Sequence, residues 1–275
     1  MSGRLQSVVL SLLAFVLLLG ACSRNRDGLS VVGSTSVQPF AEALAEEYMT
    51  AHREKIFVQG GGSSAGIQAV KTGAAQVGMS SRPLLAEEKS LLAVPIIYDA
   101  IAVIVNRENN VEELSTDQVR KIFSGEITRW SQVGGREKPI TLVSREDGSG
   151  TREAFQNLIM GKNIMVSPSA LVQDSNGAIR QVVGDDPNAI GYISLGLVDK
   201  RVKALRIDGV EATVDNVRRK TYRFVRPFLF VFRSEPSGTA KEFLAYILSP
   251  GGQKILVQEG LVSMSPSPPE EGGAG

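Results

Sequence analysis

Cysteine and histidine are almost absent from this chain, which limits the chemistry it can perform. Its 275 residues contain one cysteine, Cys22, and one histidine, His52. A single cysteine cannot close a disulfide within the chain, and a lone histidine gives no cluster for a metal ion. His52 stands beside Arg53 and Glu54 at the end of a helical run, so we expect it to be exposed. No nucleophile with an adjacent base is evident, so the sequence does not indicate an enzyme.

The chain also lacks a charge bias and a large aromatic fraction. It has 30 Lys and Arg against 29 Asp and Glu, so its charge does not indicate nucleic acid or an acidic polymer as a partner. Aromatic residues make up 6% of the chain, whereas 28 residues are glycine. This balance is typical of an α/β protein with tight turns between strands and helices. Apolar residues, at 43%, allow a sizeable core in one large domain or two smaller ones.

An apolar run near the N-terminus ends at the single cysteine. VVLSLLAFVLLLGA follows Arg4 and stops at Cys22; it is short for a membrane span and lacks a strong charged stop. LGAC, residues 19–22, resembles the bacterial lipobox, which predicts a signal peptide over residues 1–22 and lipidation of Cys22 as the mature N-terminus. The lipid would anchor the protein to a membrane surface outside the cytoplasm. The alternative is a cleaved signal in which the cysteine is incidental.

Short β-like runs and helical runs alternate between two polar ends. Residues 23–28 predict a tether, and residues 265–275, rich in Pro, Gly and Glu, predict a disordered tail. Between them each β-like run is followed by a helical one, which favours parallel sheets covered by helices. The clearest β-like runs are LSVVG (29–33), KIFVQG (55–60), AAQVGMS (74–80) and ITLVS (140–144).

Each of these strand–helix junctions carries glycine with serine or threonine: GSTS, GGGSSAG, GMSSRP and DGSGT. The first turn of a helix leaves backbone N–H groups unpaired at the positive end of the dipole, and glycine lets a ligand approach them. Such junctions gather at the carboxyl ends of parallel strands, where they form a candidate anion site. Any one junction alone is more often a cap. Arg145 at the DGSGT junction favours an anion, because a guanidinium suits an oxyanion and Asp147 could hold it in place.

Longer motifs give nearly the whole mature chain a family resemblance. They are GSTSVQPF, GGGSSAGI, VGMSSRPL, STDQVRKIFSGEITRWSQVGG, PITLVSREDGSGTREAF, NAIGYISLG and LSPGGQKILVQEGLV. With these motifs the chain resembles the periplasmic or lipid-anchored phosphate-binding proteins of bacterial phosphate ABC importers. The resemblance implies an α/β, two-lobed periplasmic-binding-protein-like (type II) fold with a hinge of two crossing strands. It also implies capture of inorganic phosphate between the lobes and delivery to a membrane permease, without catalysis and without a cofactor.

The resemblance carries a set of ligand-binding residues onto this sequence. The first two loops supply donors, Arg145 is the ligand arginine, Asp147 orients it, and the helix N-terminus at residues 149–151 closes the site. The expected ligand-binding residues are Thr35, Ser36, Ser63, Ser64, Ser81, Arg145, Asp147, Ser149, Gly150 and Thr151.

The third loop departs from the family pattern. Many members place aspartate after serine, where this chain has Ser80-Ser81-Arg82. That aspartate accepts the proton that phosphate keeps and sulfate lacks, and a buried acceptor left without a donor costs about 1–3 kcal/mol. Ser81 or a nearby carbonyl could accept this hydrogen bond instead, so we expect sulfate to compete poorly. Arg82 could add positive charge to the site or lie on the surface.

The resemblance also predicts how the chain divides. Lobe one would comprise residues 29–105 and 222–264, and lobe two residues 106–221, with crossings at IAVIVN (101–106) and YRFVRPFLFVF (222–232). Two crossing strands would form a hinge that lets the lobes close on a ligand. Other functions remain open: binding of sulfate, molybdate or tungstate, phosphatase or phosphotransferase activity in the same cradle, and a role as adhesin or phosphate sensor.

Overall fold

The computed structural model describes residues 28–263. The predicted signal peptide with Cys22, most of the predicted tether and the predicted tail at residues 265–275 lie outside the described residues. Within the described range, no helix has both the length and the apolar character needed to cross a bilayer.

Strands and helices alternate along the described chain, as the sequence predicts. The strands are β1 (Leu29–Gly33), β2 (Ile56–Gly60), β3 (Val77–Ser80), β4 (Leu92–Asn106), β5 (Glu113–Leu114), β6 (Thr141–Arg145), β7 (Leu171–Gln173), β8 (Ala189–Ser194), β9 (Val202–Ala204), β10 (Arg206–Ile207) and β11 (Val225–Phe232). The helices are α1 (Gln38–Ala51), α2 (Ser63–Thr72), α3 (Thr116–Ser124), α4 (Gly150–Phe155), α5 (Asn176–Asp185), α6 (Val214–Arg218), α7 (Gly238–Leu248) and α8 (Pro250–Gln258). A π-helical turn, Gln156–Met160, continues α4.

Among the described residues, nine strands form one continuous sheet in the order β2-β1-β3-β11-β4-β8-β6-β7, with β9 beside β4. β1 runs parallel to β2 and β3, and β6 runs parallel to β7 and β8. The strands β11 and β4 run antiparallel to each other between these two units. The fold therefore contains two parallel α/β units joined through an antiparallel pair.

The long strand β4 passes from one lobe to the other. Its residues 92–100 pair with β11, and its residues 101–106 pair with β8 and β9. The chain returns beside it, where the Ile101 amide donates to the Phe224 carbonyl at 2.8 Å. The pairing partners of β4 change between Ala100 and Ile101, at the start of the predicted crossing over residues 101–106. The lobe boundary near residue 105 stays a prediction.

Each lobe has its own apolar core. In lobe one, which contains β1, β2, β3 and β11, Phe40 of α1 and Phe243 of α7 belong to one buried cluster. In lobe two, Phe155 and Ile179 belong to separate clusters on the two faces of the sheet. His52 at the end of α1 is exposed, as the sequence predicts. Two separate cores connected by crossing strands are the arrangement that a hinge motion requires.

Candidate functional site

The loops after β1, β2 and β3 meet at the carboxyl ends of these strands. The Ser34 hydroxyl donates to Ser81 Oγ at 2.9 Å, and the Ser81 amide donates to Ser63 Oγ at 3.1 Å. Because β1 is parallel to both of its neighbours, the three strands end at the same edge of the sheet. The fold thus gathers the serines of three separate junctions into one buried cluster.

The turn after β6 brings lobe two onto this cluster. The Ser64 amide of lobe one donates to the Gly148 carbonyl of lobe two at 3.1 Å. Ser36 Oγ lies 2.7 Å from Thr151 Oγ1. The two lobes are therefore closed against each other at the predicted site.

Gly150 fits between the lobes because it has no side chain. A Cβ at this position would lie 2.6 Å from Ser81 Oγ and closer still to Ser63 Oγ. Carbon atoms do not approach hydroxyl oxygens this closely, so a larger residue here would have to displace the Ser63 and Ser81 hydroxyls in the closed form.

Arg145, at the end of β6, is the cation of this site. Its side chain is 1% exposed. Nε and Nη2 each donate to a carboxylate oxygen of Glu146 at 2.8 Å, which fixes the plane of the guanidinium. Nη2 also donates across the lobes to Thr35 Oγ1 at 3.1 Å. Main-chain carbonyls at residues 173 and 174 accept further hydrogen bonds from Nε and Nη2.

The remaining nitrogen of Arg145, Nη1, is buried and has no hydrogen-bond partner among the described residues. Buried donors are rarely left unpaired, and an unpaired charged one is especially costly. Because Nη1 belongs to the same guanidinium as Nη2, which bonds Thr35 Oγ1 of the opposite lobe, it indicates a site for an anion that would accept its hydrogen bonds.

Asp147 does not hold Arg145, contrary to the sequence-based prediction. Its side chain is 96% exposed, and it pairs with Arg152 Nη1 at 2.9 Å. Glu146 takes the predicted role, because it follows Arg145 directly and its longer side chain reaches the Nε and Nη2 edge. Asp147 lies in the exposed turn that continues through Gly148, whose φ is 83°.

Ser149 serves mainly as a helix cap. Its hydroxyl accepts a hydrogen bond from the Arg152 amide at 3.3 Å, at the start of α4. The side chain is nevertheless buried beside Gly150 and Thr151, so it lies in the predicted cluster. This is the ordinary geometry of a serine N-cap, which the sequence alone would also explain.

The sequence analysis missed two buried charged residues of the site, Asp99 and Arg226. Arg226 Nε and Nη2 bind Asp99 Oδ2 at 2.9 and 2.8 Å. Arg226 then donates from Nη1 to Thr151 Oγ1 at 2.9 Å and from Nη2 to Ser36 Oγ at 3.2 Å. Burial raises the pKa of the Asp99 carboxyl, while Arg226 and the Ser194 hydroxyl act in the opposite direction. A single charge inside each apolar run, YDAIAV and FVRPFLF, was the signal that could have revealed the pair.

Asn176, at the start of α5, also lies in the site. Its Nδ2 donates to Ser36 Oγ at 2.9 Å, and its Oδ1 accepts from the Ser194 amide at 3.1 Å. Ser175 caps this helix, because its hydroxyl accepts from the Ala178 amide. Only the fold reveals that the residue after the cap reaches the opposite lobe.

Arg82 is neither a surface residue nor a free cation of the site. It is 1% exposed and binds Glu88 through Nη1 and Nη2 at 2.7 and 2.8 Å, while Nη2 also donates to Ser64 Oγ. Its Nε lies 2.7 Å from Glu153 Oε2 of lobe two, an ion pair without hydrogen-bond alignment. The hydrogen bonds from Arg82 lower the pKa of Glu88, whereas burial raises that of Glu153.

The structure brings nine of the ten predicted site residues together and leaves one outside. Thr35 and Ser64 are half-buried at the rim, and Asp147 is exposed. The buried members are Ser36, Ser63, Ser81, Arg145, Ser149, Gly150 and Thr151. Within residues 28–263, His, Asp and Glu side chains form no group that could hold a metal ion. The arrangement offers hydroxyls and one guanidinium nitrogen to an oxyanion enclosed between the lobes.

Comparison with known proteins gives a consistent result. The family model described as PBP superfamily domain matches residues 21–250. The phosphate-binding protein PstS of Bacillus subtilis (strain 168) is 35% identical over 240 residues, which cover 84% of this chain and 78% of that protein.

Solved structures agree in fold. A phosphate ABC transporter substrate-binding protein from Clostridium perfringens, crystallised with bound phosphate, is 42% identical with a TM-score of 0.84, over 86% of this chain and all of that one. An ABC-type phosphate transport receptor from Vibrio cholerae is 39% identical with a TM-score of 0.71, over 85% of this chain and 99% of that one. The predicted two-lobed α/β fold is confirmed. The chain belongs to the PBP superfamily and, within it, to the family of phosphate-binding proteins that includes PstS of Bacillus subtilis.

Proposed function

We propose that this protein captures inorganic phosphate between its two lobes and delivers it to the permease of an ABC importer. The observation that carries the proposal is the buried Nη1 of Arg145, which has no hydrogen-bond partner among the described residues and belongs to a guanidinium that bonds Thr35 of the opposite lobe. The relatives named as phosphate-binding and phosphate transport proteins support the choice of ligand and the transport role.

The ligand contacts would come from both lobes. Lobe one would contribute Thr35, Ser63, Ser64 and Ser81, with Ser36 acting through Thr151, and lobe two would contribute Arg145, Ser149, Gly150 and Thr151. A ligand that bonds to both sets stabilises the closed form over an open one, because only the closed form provides all of the contacts. A permease could then distinguish the loaded protein from the empty one by its shape.

Ser81 is the proposed acceptor for the proton that phosphate retains. Its Oγ accepts from Ser34 and lies 3.4 Å from Ser63 Oγ, so the hydroxyl can donate to Ser63 and still offer a lone pair. The carboxylates near the site, Glu146 and Asp99, are already occupied by arginines. We therefore expect discrimination against sulfate to depend on a hydroxyl rather than on a carboxylate.

The family consists of binding proteins rather than enzymes, so a phosphatase or phosphotransferase activity is not proposed. Another tetrahedral oxyanion is the alternative ligand, because sulfate or molybdate would satisfy the same donors.

Calorimetric titration of the full chain, purified in detergent, tests the proposal. Phosphate and arsenate should bind tightly, and sulfate and molybdate should compete poorly for the site. Equal binding of sulfate would contradict phosphate selectivity, and absence of phosphate binding would contradict the function itself. A phosphomonoester assay on the same sample tests the enzyme alternative.

We also propose an extracytoplasmic location with a lipid on Cys22, a tether over residues 23–28 and a free tail over residues 265–275. The proposal is supported by the LGAC motif and by the absence of any other cysteine. Mass spectrometry of the purified protein should find a diacylglycerol on Cys22 and cleavage before it. Unchanged membrane association of a Cys22→Ser variant would contradict lipid anchoring.

A further inference from the structure

Arg226 lies on a hinge strand, β11, and contacts both lobes. It stands directly opposite Asp99 in the pairing of β11 with β4, the two strands that cross between the lobes. The side chains are 1% and 0% exposed. A buried ion pair adds little net stability compared with apolar residues of similar volume, so its position at the site points to another role.

The face of Arg226 turned away from Asp99 contacts one hydroxyl from each lobe. Nη2 donates to Ser36 Oγ of lobe one at 3.2 Å, and Nη1 donates to Thr151 Oγ1 of lobe two at 2.9 Å. A guanidinium has donors and no acceptor, so both hydroxyl oxygens must accept from it.

The Ser36 hydroxyl is thereby forced to donate. Its oxygen accepts from Arg226 Nη2 and from Asn176 Nδ2 at 2.9 Å. The amide orientation of Asn176 is fixed, because its Oδ1 accepts from the Ser194 amide. With both lone pairs of Ser36 Oγ occupied, its proton goes to Thr151 Oγ1, 2.7 Å away.

The hydrogen bonds of Thr151 Oγ1 can be counted in the same way. Its oxygen accepts from Ser36 and from Arg226, so its own proton must be donated to another group. No acceptor for that proton is recorded among the described residues. The Thr151 hydroxyl therefore presents a donor, and not a lone pair, to whatever enters the site.

We propose that Arg226, held by Asp99, is a positioning residue that fixes the Ser36 hydroxyl as a donor to Thr151 and the Thr151 hydroxyl as a donor to the ligand, so that this part of the site binds only an unprotonated oxygen of the ligand. The inference rests on the proposed phosphate binding. It predicts a preference for the phosphate dianion, because the monoanion carries a second proton for which this side of the site offers no lone pair.

The charged groups that face Arg226 are Asp99 on β4 and Arg145 on β6, and Tyr192 on β8 faces it as well. Asp99 neutralises Arg226 within the pair, which leaves Arg145 as the countercharge of the ligand. Arg226 thus determines which hydroxyls act as donors, whereas Arg145 supplies the charge that attracts the anion.

The test is calorimetric titration of the full chain in detergent with inorganic phosphate, below and above the second ionisation of phosphate. The variants are Arg226→Met combined with Asp99→Asn, which removes both charges of the pair, and Arg226→Lys, which keeps the charge on a single nitrogen. Arg120→Met is the matched control, because Arg120 donates to the Ile159 carbonyl in lobe two. Thermal unfolding of each variant verifies that it folds.

The unmodified chain and the control should bind phosphate more tightly at the higher pH. Both site variants should lose about tenfold to a hundredfold in affinity at the higher pH, as expected for a lost hydrogen bond with a charged partner. In both variants the ratio of the phosphate affinity at the higher pH to that at the lower pH should also be smaller, because freed hydroxyls can accept a proton from the monoanion. Arg226→Lys keeps this outcome measurable if the double variant does not fold. The inference is overturned if this affinity ratio is unchanged in folded variants, even where they bind phosphate more weakly. Failure of the unmodified chain to bind phosphate overturns the proposed function, and the inference with it.

Discussion

Arg82 of lobe one and Glu153 of lobe two form an ion pair across the closed lobes, with 2.7 Å between Nε and Oε2. Arg82 also binds both carboxylate oxygens of Glu88. Its charge is thus matched by carboxylates on both sides of the cleft and is not left for a ligand. Arg82 connects the lobes beside the anion site.

Substitution of Arg82 by methionine should destabilise the protein, because it leaves Glu88 and Glu153 facing each other without their cation. We expect a loss of about 1–3 kcal/mol in the free energy of unfolding, measured with urea. The triple variant Arg82→Met, Glu88→Gln, Glu153→Gln should recover most of this loss. It should also bind phosphate almost as the unmodified chain does, and a large loss of affinity in that variant would mean that Arg82 is a ligand after all.

The contributions of Glu88 and Glu153 to the free energy of unfolding should change with pH in opposite directions. Hydrogen bonds from Arg82 lower the pKa of Glu88 below its ordinary value of 4.5, so its contribution to stability is present above that value and is lost as the pH falls through the folded pKa. The difference in unfolding free energy between the unmodified chain and Glu88→Gln should therefore shrink in acid.

Burial raises the pKa of Glu153, with Arg82 acting against the increase, so the folded chain binds this proton more tightly than the unfolded chain does. Glu153→Gln should then be at least as stable as the unmodified chain at neutral pH. Urea denaturation at neutral pH and in acid measures both effects, and equal pH profiles for the two variants would contradict the assignment.

Arg145→Met should reduce phosphate affinity by at least about a hundredfold, because it removes the charged donor of the site. The control is Arg180→Met, since Arg180, also in lobe two, is 30% exposed and pairs with Asp199. Calorimetry should find near-normal affinity for the control. Similar losses in both variants would mean that general positive charge, and not the buried Nη1, attracts the anion.

Substitutions of Glu146 and Asp147 should have sharply different effects on phosphate affinity, although the two residues are neighbours. Glu146→Ala removes both hydrogen bonds that fix Arg145, and we expect about a tenfold loss of phosphate affinity. The lost negative charge would by itself favour an anion, but the Glu146 side chain is 29% exposed and its field is screened. Asp147→Ala should leave the affinity nearly unchanged. A greater effect at Asp147 would restore the sequence-based assignment.

The sequence predicted the parts of the site that depend on local structure. Glycine and hydroxyl residues at strand ends mark junctions, and parallel strands bring such junctions together, so the pattern predicted the junctions that contain Ser36, Ser63 and Ser81. The choice of these individual serines came from the family resemblance. Arg145 was found because it precedes one of these junctions directly.

The rest depends on contacts between residues far apart in the chain. Arg226 and Asp99 are separated by more than a hundred residues and meet only through the pairing of β11 with β4. The choice between Glu146 and Asp147 depends on the direction of a turn, which composition does not reveal. The partners of Arg82 lie in both lobes, so no local pattern could distinguish a ligand cation from a link between lobes.

Gly150→Ala should oppose closure of the lobes without disturbing either lobe. The added Cβ would lie 2.6 Å from Ser81 Oγ and closer still to Ser63 Oγ, both of which belong to the opposite lobe. An open form has no such clash, so the free energy of unfolding without phosphate should change by less than about 0.5 kcal/mol. Phosphate affinity should fall at least about tenfold, since binding would require the hydroxyls to be displaced.

The matched control for this prediction is Gly177→Ala on α5, where the nearest atom to an added Cβ is 4.0 Å away. It should bind phosphate normally in calorimetry. Small-angle scattering should show that phosphate compacts the control and the unmodified chain, but compacts Gly150→Ala less at the same concentration. Normal affinity and full compaction of Gly150→Ala would mean that the liganded lobes do not approach as closely as residues 63, 81 and 150 do in this structure, and that the anion is held in a wider site.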